Sequence, residues 1–434
     1  WSCELYDTQS GDIFPIEAAV DATDAADSAE SADASNIWTT VTRPLYEHDS
    51  LLLKLTPKAA DVSVPAVSAA VGATDGLLVT ARPGWPTPAD ARSGPAAGAA
   101  PRQHFYNAVP VTLEEPNVLL LDLAEYALDG EALLPREEIL RLDNALRKRL
   151  GWPTRAEAVA QPWVEKDTET RHTVTLRYTF ESEIAVRGAK LALERSELAE
   201  IRLNGADVPA KSGRTASDGW FVDRCIHTVP LPELAVGKNT LEVRYRYGRK
   251  VDLEALYLLG DFGVRVSGCD AALTRPVREL HFGDITRQGL PFYGGNIVYH
   301  LSAATNGDSL TIDAPYYRGQ LLGVSVDGRE RGHIIYSPYR LTVDGIASDA
   351  AAPDAAALAT GLAADGTAAA DIGRIHKVDL RFFGNRINTF GQLHCNVRTP
   401  GFWWGPNSWR TSGQEWSYEY RFWEQGILKS PEIT

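Results

Sequence analysis

The feature that most constrains this chain is a period of two in its apolar residues. The run HTVTLRYTF, His172 to Phe180, puts Val174, Leu176, Tyr178 and Phe180 on one face. Successive side chains of an extended chain point to opposite sides, so this pattern predicts a strand with one buried face. Leu241, Val243, Tyr245 and Tyr247 repeat it, and Trp416, Tyr418, Tyr420 and Phe422 predict another strand near the end, with one face in a core. Turn chemistry punctuates the runs. Ile201 and Leu203 lead into Asn204-Gly205, a pair that tolerates the positive φ of a type I′ hairpin, and Asp327-Gly328 offers the same.

Against these strands stands one convincing helix, predicted over 136–150. Pro135 serves as its first residue, and Ile139, Leu142, Leu146 and Leu150 form its apolar stripe. Glu137 and Glu138 fall in the first turn, Arg147, Lys148 and Arg149 in the last, and Gly151 caps it. Both charge biases suit the helix dipole. A (β/α)₈ barrel needs eight alternating units over about 250 residues, which one helix excludes. The expected class is therefore all-β with one inserted amphipathic helix.

At 434 residues the chain is long enough for about three domains. A weak internal repeat organises it. From Leu176 the order is strand, Asn-Gly hairpin, loop, then LPELAVGKNTLEVRYRYG. From Ile297 it is strand, Asp-Gly hairpin, YSPYRLTVDGI, an insert, then HKVDLRFFGNRINTF. Tandem β-sandwiches over 61–268 and 269–434 explain both halves. Three stretches read as loops or inserts: 17–36, 83–101 and 347–373. They are rich in Ala, Asp, Ser, Pro or Gly and poor in the large apolar residues that offset the entropy of ordering.

Net charge is −14, which argues against a nucleic-acid partner held through phosphates. Ten of the excess acids lie in residues 17–36 and 346–373, which carry no base; without them the charge is −4. The acids of 21–33 lack the alternating Asp/Asn ligands, central Gly and terminal Glu of a calcium loop. No cofactor is expected, with a structural calcium left open. No run of 18 apolar residues occurs, so no membrane partner is expected. Cys3, Cys225, Cys269 and Cys395 are too scattered for a zinc site or a disulfide framework, and read as buried free thiols of a cytoplasmic protein.

The Asn/Asp-Gly hairpins, the loop Ser337-Pro338-Tyr339 and the strand Gly237-x-Asn239-x-Leu241-x-Val243 resemble the galactose-binding-like jelly rolls of glycoside hydrolase family two. ELYDTQSGDI, HDSLLLKL, REEILRLDNALRKRLGWP, YLLGDFGV, QGLPFYGGNIVY and FFGNRINTFGQLH resemble the C-terminal region of large bacterial glycoside hydrolases of the α-L-rhamnosidase type. The resemblance implies tandem jelly rolls after a small β domain at residues 1–60, all downstream of a catalytic barrel. It implies an accessory region acting with its own upstream barrel on plant or complex glycans. The alternative is a dedicated carbohydrate-binding module. The chain opens on Trp1 and has no Met, although average usage would give several. An internal fragment, or a chain with its methionines replaced, is the expectation.

No catalytic residue and no metal ligand is assigned. Glycoside hydrolysis needs two carboxylates, about 5–5.5 Å apart for retention or about 6.5–9.5 Å for inversion. With 57 Asp and Glu some pair is inevitable, so the count discriminates nothing. Glu254, Asp261 and Asp284 lie in the best-matching stretches, Asp261 reading as a turn residue. No G-x-S-x-G and no H-E-x-x-H occurs, and His394 beside Cys395 is no ligand pair.

The sharper candidates for carbohydrate are aromatic. Five of eleven Trp lie in the last 32 residues, more apolar surface than a monomer leaves idle. In PGFWWGPNSW, Gly and Pro hold Trp403, Trp404 and Trp409 outside regular structure beside polar side chains. This loop touches a sugar ring, packs on the barrel, or joins the core. In FGNRINTFG, Asn385, Arg386 and Asn388 could bond sugar hydroxyls; turn chemistry is the competing reading.

Overall fold

A computed structural model describes residues 102–155, 166–208, 219–305, 307–346, 374–396 and 411–434, together with five short strands before them. Of those five, Ser2–Tyr6 pairs antiparallel with Ile13–Ile16 and Leu53–Thr56, and Ala19–Ala22 with Ile37–Thr40. The inserts 83–101 and 347–373, and with them Trp403, Trp404 and Trp409, lie outside the described residues. The described chain is all-β: two β-sandwiches with one long helix.

The first sandwich is built on the strand His172–Ser182, which pairs with Gly237–Tyr247 along all eleven residues, His172 opposite Tyr247. Leu123–Leu128 and Leu134–Glu138 extend this sheet on one side, and Ala199–Leu203 with Ala206–Asp207 on the other. Val174, Leu176, Tyr178 and Phe180 are all buried, as the alternation predicts. The facing sheet runs Trp220–Phe221, Asp223–Pro230, Lys190–Glu194, Leu256–Gly260, Asn117–Leu121. Its strands Asn117–Leu121 and Leu256–Gly260 are buried at every position, and Phe390 packs its ring on Tyr257 and Phe221.

The helix is Ile139–Arg149, shorter at its start than 136–150. Leu134–Glu138 is drawn into the sheet by Leu123–Leu128, so Pro135 lies in a strand and Glu138 becomes the N-cap, accepting from the N–H groups of Leu140 and Arg141. At the other end the N–H of Gly151, at φ +69°, donates to Lys148, and that of Trp152 to Arg147.

The second sandwich sets a six-stranded sheet, centred on Ile297–Thr305 and Arg374–Phe382, against Arg340–Asp344, Ser309–Asp313, Glu432–Ile433 and Gln103–His104. Val109–Leu113 pairs with Ile297–Thr305, so residues 103–113 belong to this sandwich and the chain crosses into the first at Asn117. A boundary at 268/269 does not capture that crossing, which is set by pairing partners almost 190 residues apart.

Both anticipated hairpins form. Asn204 and Gly205 have φ +51° and +82°, Asp327 and Gly328 +51° and +77°. The first turn residue also clamps the neighbouring strand. Asn204 Oδ1 accepts from the N–H of Thr240 and Asp327 Oδ1 from that of Lys377, while each turn N–H donates back to the same residue's carbonyl. Asp129, followed by Gly130, does the same with Thr173.

Residues 411–425 form no strand. Their N–H groups reach scattered carbonyls (Ser417 to His394, Tyr420 to Gly268, Arg421 to Leu393), with a single isolated bridge between Trp416 and Cys395. With 387–396 they make a strap that leaves the second sandwich after Phe382, packs Leu393, Tyr420 and Phe422 on the first core, and returns at Gly426–Ile427 to pair with Tyr317–Arg318.

Candidate functional site

The turn anticipated as a sugar site divides. Asn388 is fully buried: its Nδ2 donates to the Trp423 carbonyl at 2.8 Å and its Oδ1 accepts from the Trp423 N–H at 3.0 Å. Its amide faces backbone inside the strap, which corrects its reading as a surface ligand. Asn385 Oδ1 accepts from the Ile387 N–H, the turn chemistry expected. Arg386 keeps about a third of its side chain exposed and its Nη2 forks onto Glu115 at 2.6 and 2.8 Å. The three residues do not converge on one surface.

Sequence reading missed a buried polar joint beneath the strap. Asp122, at the end of Asn117–Leu121, receives the Tyr420 hydroxyl at 2.6 Å on Oδ1 and the His394 Nε2 at 3.1 Å on Oδ2. His394 Nδ1 lies 2.9 Å from the Ser417 carbonyl. A carbonyl and a carboxylate both accept, an arrangement that favours the protonated ring, in which both nitrogens donate. Burial alone would lower its pKa; the bond to Asp122 and the nearby Glu138 charge outweigh burial and hold it above the usual range.

Glu138, only 5% exposed, closes the cluster. Burial pushes its carboxyl up to about 7 against the pull of the helix N–H groups, and Asp122 adds repulsion. A small cavity of about 80 Å³ lies among Asp122, Glu138, His394, Tyr257 and Trp416. The Arg141 guanidinium lies 4.0 Å over the ring of Trp416, one of the lining residues.

A second polar cluster lies behind the helix. Asp143, fully buried, accepts from Arg147 Nε at 3.0 Å and from the Tyr247 hydroxyl at 2.6 Å. Arg147 also reaches Asp252, and Arg155 pairs with Glu254. Burial raises the carboxyl pKa of Asp143 and of Glu254 against their arginines. Asp261 pairs with Arg278 at 2.5 Å. Asp284 caps the short turn Ile285–Arg287, accepting from the N–H and hydroxyl of Thr286. All three acids flagged in the matching stretches therefore have structural partners.

On the other side of Tyr420 an open groove of about 680 Å³ lies between residues 263–274 of the first sandwich and residues 277–289, which pack on the second core. Val264 and Val277 line it with the rings of Tyr420 and Phe422, which stack 5.8 Å apart. Arg265, Arg275, Arg287 and Arg421 also line it. Tyr420 thus separates two sites, its ring on the groove and its hydroxyl in the joint.

Among the described residues no group of three or more His, Cys, Asp or Glu is placed to hold a metal. Cys225 is exposed, Cys269 half-buried and Cys395 buried; uniformly buried thiols were expected, and of these three only Cys395 fits. No described helix is long and apolar enough to cross a membrane.

No family model and no curated protein matches the chain. Among solved structures, a rhamnosidase from Novosphingobium sp. PP1Y is similar over 62% of this chain and 23% of its own, at 15% identity and a TM-score of 0.22. A β-D-mannosidase from Dictyoglomus thermophilum is similar over 52% and 31%, at 12% identity and 0.21. A GH2 β-galacturonidase from Eisenbergiella tayi is similar over 54% and 35%, at 10% identity and 0.20. The chain spans about a quarter to a third of the length of these structures, and likenesses of this size do not place it in a family.

Proposed function

We propose that this chain is a non-catalytic, carbohydrate-facing region of a glycoside hydrolase of the α-L-rhamnosidase type, its sandwiches supporting a catalytic barrel. The sequence resemblance motivates the reading, and one observation carries it: the two acids that burial lifts to about 7, Glu138 and Glu254, are both occupied, Glu254 by Arg155. A general acid must present a proton to a glycosidic oxygen. Glu138 instead directs both oxygens to the N–H groups of Leu140 and Arg141, beside a cavity of about 80 Å³. Small-molecule sites run to about 300–1,000 Å³. The groove, which is large enough, has among its described lining residues two acids, Glu424 and Asp284, the latter engaged as the cap of Ile285–Arg287. The reading calls for no cofactor, no nucleic acid and no membrane.

The test is hydrolysis by the purified chain. Aryl glycosides, including p-nitrophenyl α-L-rhamnoside, should show no turnover above buffer from pH 4 to 9. Turnover abolished by Glu138→Gln would overturn the reading. The open groove favours a second reading, a dedicated carbohydrate-binding module. It predicts glycan binding by this chain with no affinity for a barrel.

A further inference from the structure

We infer that the groove beside Tyr420 binds a glycan carrying ring carboxylates, a uronic-acid oligosaccharide; this rests on the carbohydrate-facing reading above. The argument begins with charge. The chain is acidic, at −14, yet four arginines line this groove against two acids, Asp284 and Glu424. A concave surface of one sign on a protein of the other concentrates counter-charged ligands where the arginines are.

Arg265 is held by Glu183 at 2.5 Å, and the other three arginines are available. Arg275 is exposed and has no side-chain partner among the described residues. Arg287 is 86% exposed and its approach to Asp284 is long, 3.7 Å. Arg421 holds Asn396 through Nε and leaves its remaining guanidinium nitrogens 3.7 Å or more from Glu419. A guanidinium is a planar fork that matches a carboxylate in two parallel bonds, which a hydroxyl cannot reproduce.

The rest of the groove suits a sugar ring. Tyr420 and Phe422 offer stacked aromatic surface, held against Phe292 by edge contacts at 5.2 Å each. Val264 and Val277 add apolar lining, and Thr274 and Thr286 add hydroxyls. Apolar surface with a few convergent polar groups, at about 680 Å³, is the composition of a small-ligand site. The aromatic wall favours a sugar over a bare anion, and the arginines favour an acidic sugar over a neutral one.

The experiment is isothermal titration calorimetry on the full chain with trigalacturonate, its fully methyl-esterified form, neutral maltotriose and inorganic tripolyphosphate. Trigalacturonate should bind at least tenfold more tightly than the ester, maltotriose or tripolyphosphate. The double variant Arg275→Gln/Arg287→Gln, both sites exposed and with its fold checked by circular dichroism, should lose at least tenfold for trigalacturonate. Equal binding of acid and ester, or an unchanged double variant, overturns the inference while leaving a carbohydrate-facing role intact. Equal binding of tripolyphosphate reduces the groove to a general anion site and overturns it too. Binding of none of the four, together with hydrolysis by the chain, overturns both readings.

Discussion

Replacing Glu138 by Gln tests the joint most directly. In the fold this carboxyl titrates at about 7, against 4.5 for an unperturbed glutamate, chiefly because it is buried. The folded protein therefore holds the proton more tightly than the unfolded chain does. The contribution to stability is complete below pH 4.5 and is lost as pH rises through 7. At about 1.4 kcal/mol per unit, the loss across that window is roughly 3 kcal/mol. His394 works in the same direction: its raised pKa gives stability that is present below the ordinary histidine range and lost above its folded pKa. Gln keeps the shape of Glu138 and carries no charge at any pH, but its single oxygen serves only one of the Leu140 and Arg141 N–H groups, a small loss that is the same at every pH. Urea unfolding of both proteins at pH 5 and pH 8 is the assay, with amide exchange at Leu140 and Arg141 as the local readout. The variant should match or fall slightly below the wild type at pH 5. At pH 8 it should exceed it by up to roughly 3 kcal/mol. If the two proteins keep the same stability difference at both pH values, the carboxyl does not titrate between them and the reasoning fails.

Arg147→Met should cost about 3–5 kcal/mol in urea unfolding, because it leaves fully buried Asp143 without its main counter-charge; a loss below about 1 kcal/mol would contradict the pairing. Asn388→Ala should cost about 1–3 kcal/mol and speed amide exchange at Trp423, whereas Asn385→Ala, in an accessible turn, should cost under about 1 kcal/mol. Equal effects at the two positions would show that the strap is not pinned through Asn388. Asp129→Ala, Asn204→Ala and Asp327→Ala each remove a clamp on the neighbouring strand and should each cost about 1 kcal/mol in thermal unfolding. Negligible effects at all three would make the shared turn geometry incidental.

What sequence made legible was local. Val174 to Phe180 alternates because one sheet face meets one core, and Asn204-Gly205 and Asp327-Gly328 turn because their φ values need those residues. Legibility failed where distant pairing decided the outcome. Pro135 and Glu137 read as helix until Leu123–Leu128 claims them for a sheet, and Trp416 to Phe422 alternates like a strand but makes only an isolated bridge, Trp416 to Cys395. The joint draws on residues 122, 138, 394 and 420, which no spacing rule connects. One signal was available: Asp122 is a lone acid inside the apolar run VLLLDLA, and an acid so placed is buried and paired. For Asn388 neither the sugar nor the turn reading describes the outcome, since it lies in the short helix Ile387–Phe390 and its amide holds the Trp423 backbone 35 residues away.

The two sides of Tyr420 have a consequence for how the groove and the joint behave together. Its hydroxyl is fixed to Asp122, which also holds His394, and His394 in turn holds the Ser417 carbonyl of the strap. Its ring, with Phe422, forms one wall of the groove. A ligand stacked on that wall binds only the arrangement in which the strap is seated, so its binding free energy adds to the free energy that seats the strap. Linkage makes this reciprocal. Raising pH through 7 ionises Glu138 beside Asp122 and weakens the seat, and a groove ligand must then contribute part of its affinity to restoring it. The carboxylates of this chain act inward in that scheme, setting how firmly the strap closes. The arginines on the outer side are left to meet whatever acid arrives from solvent.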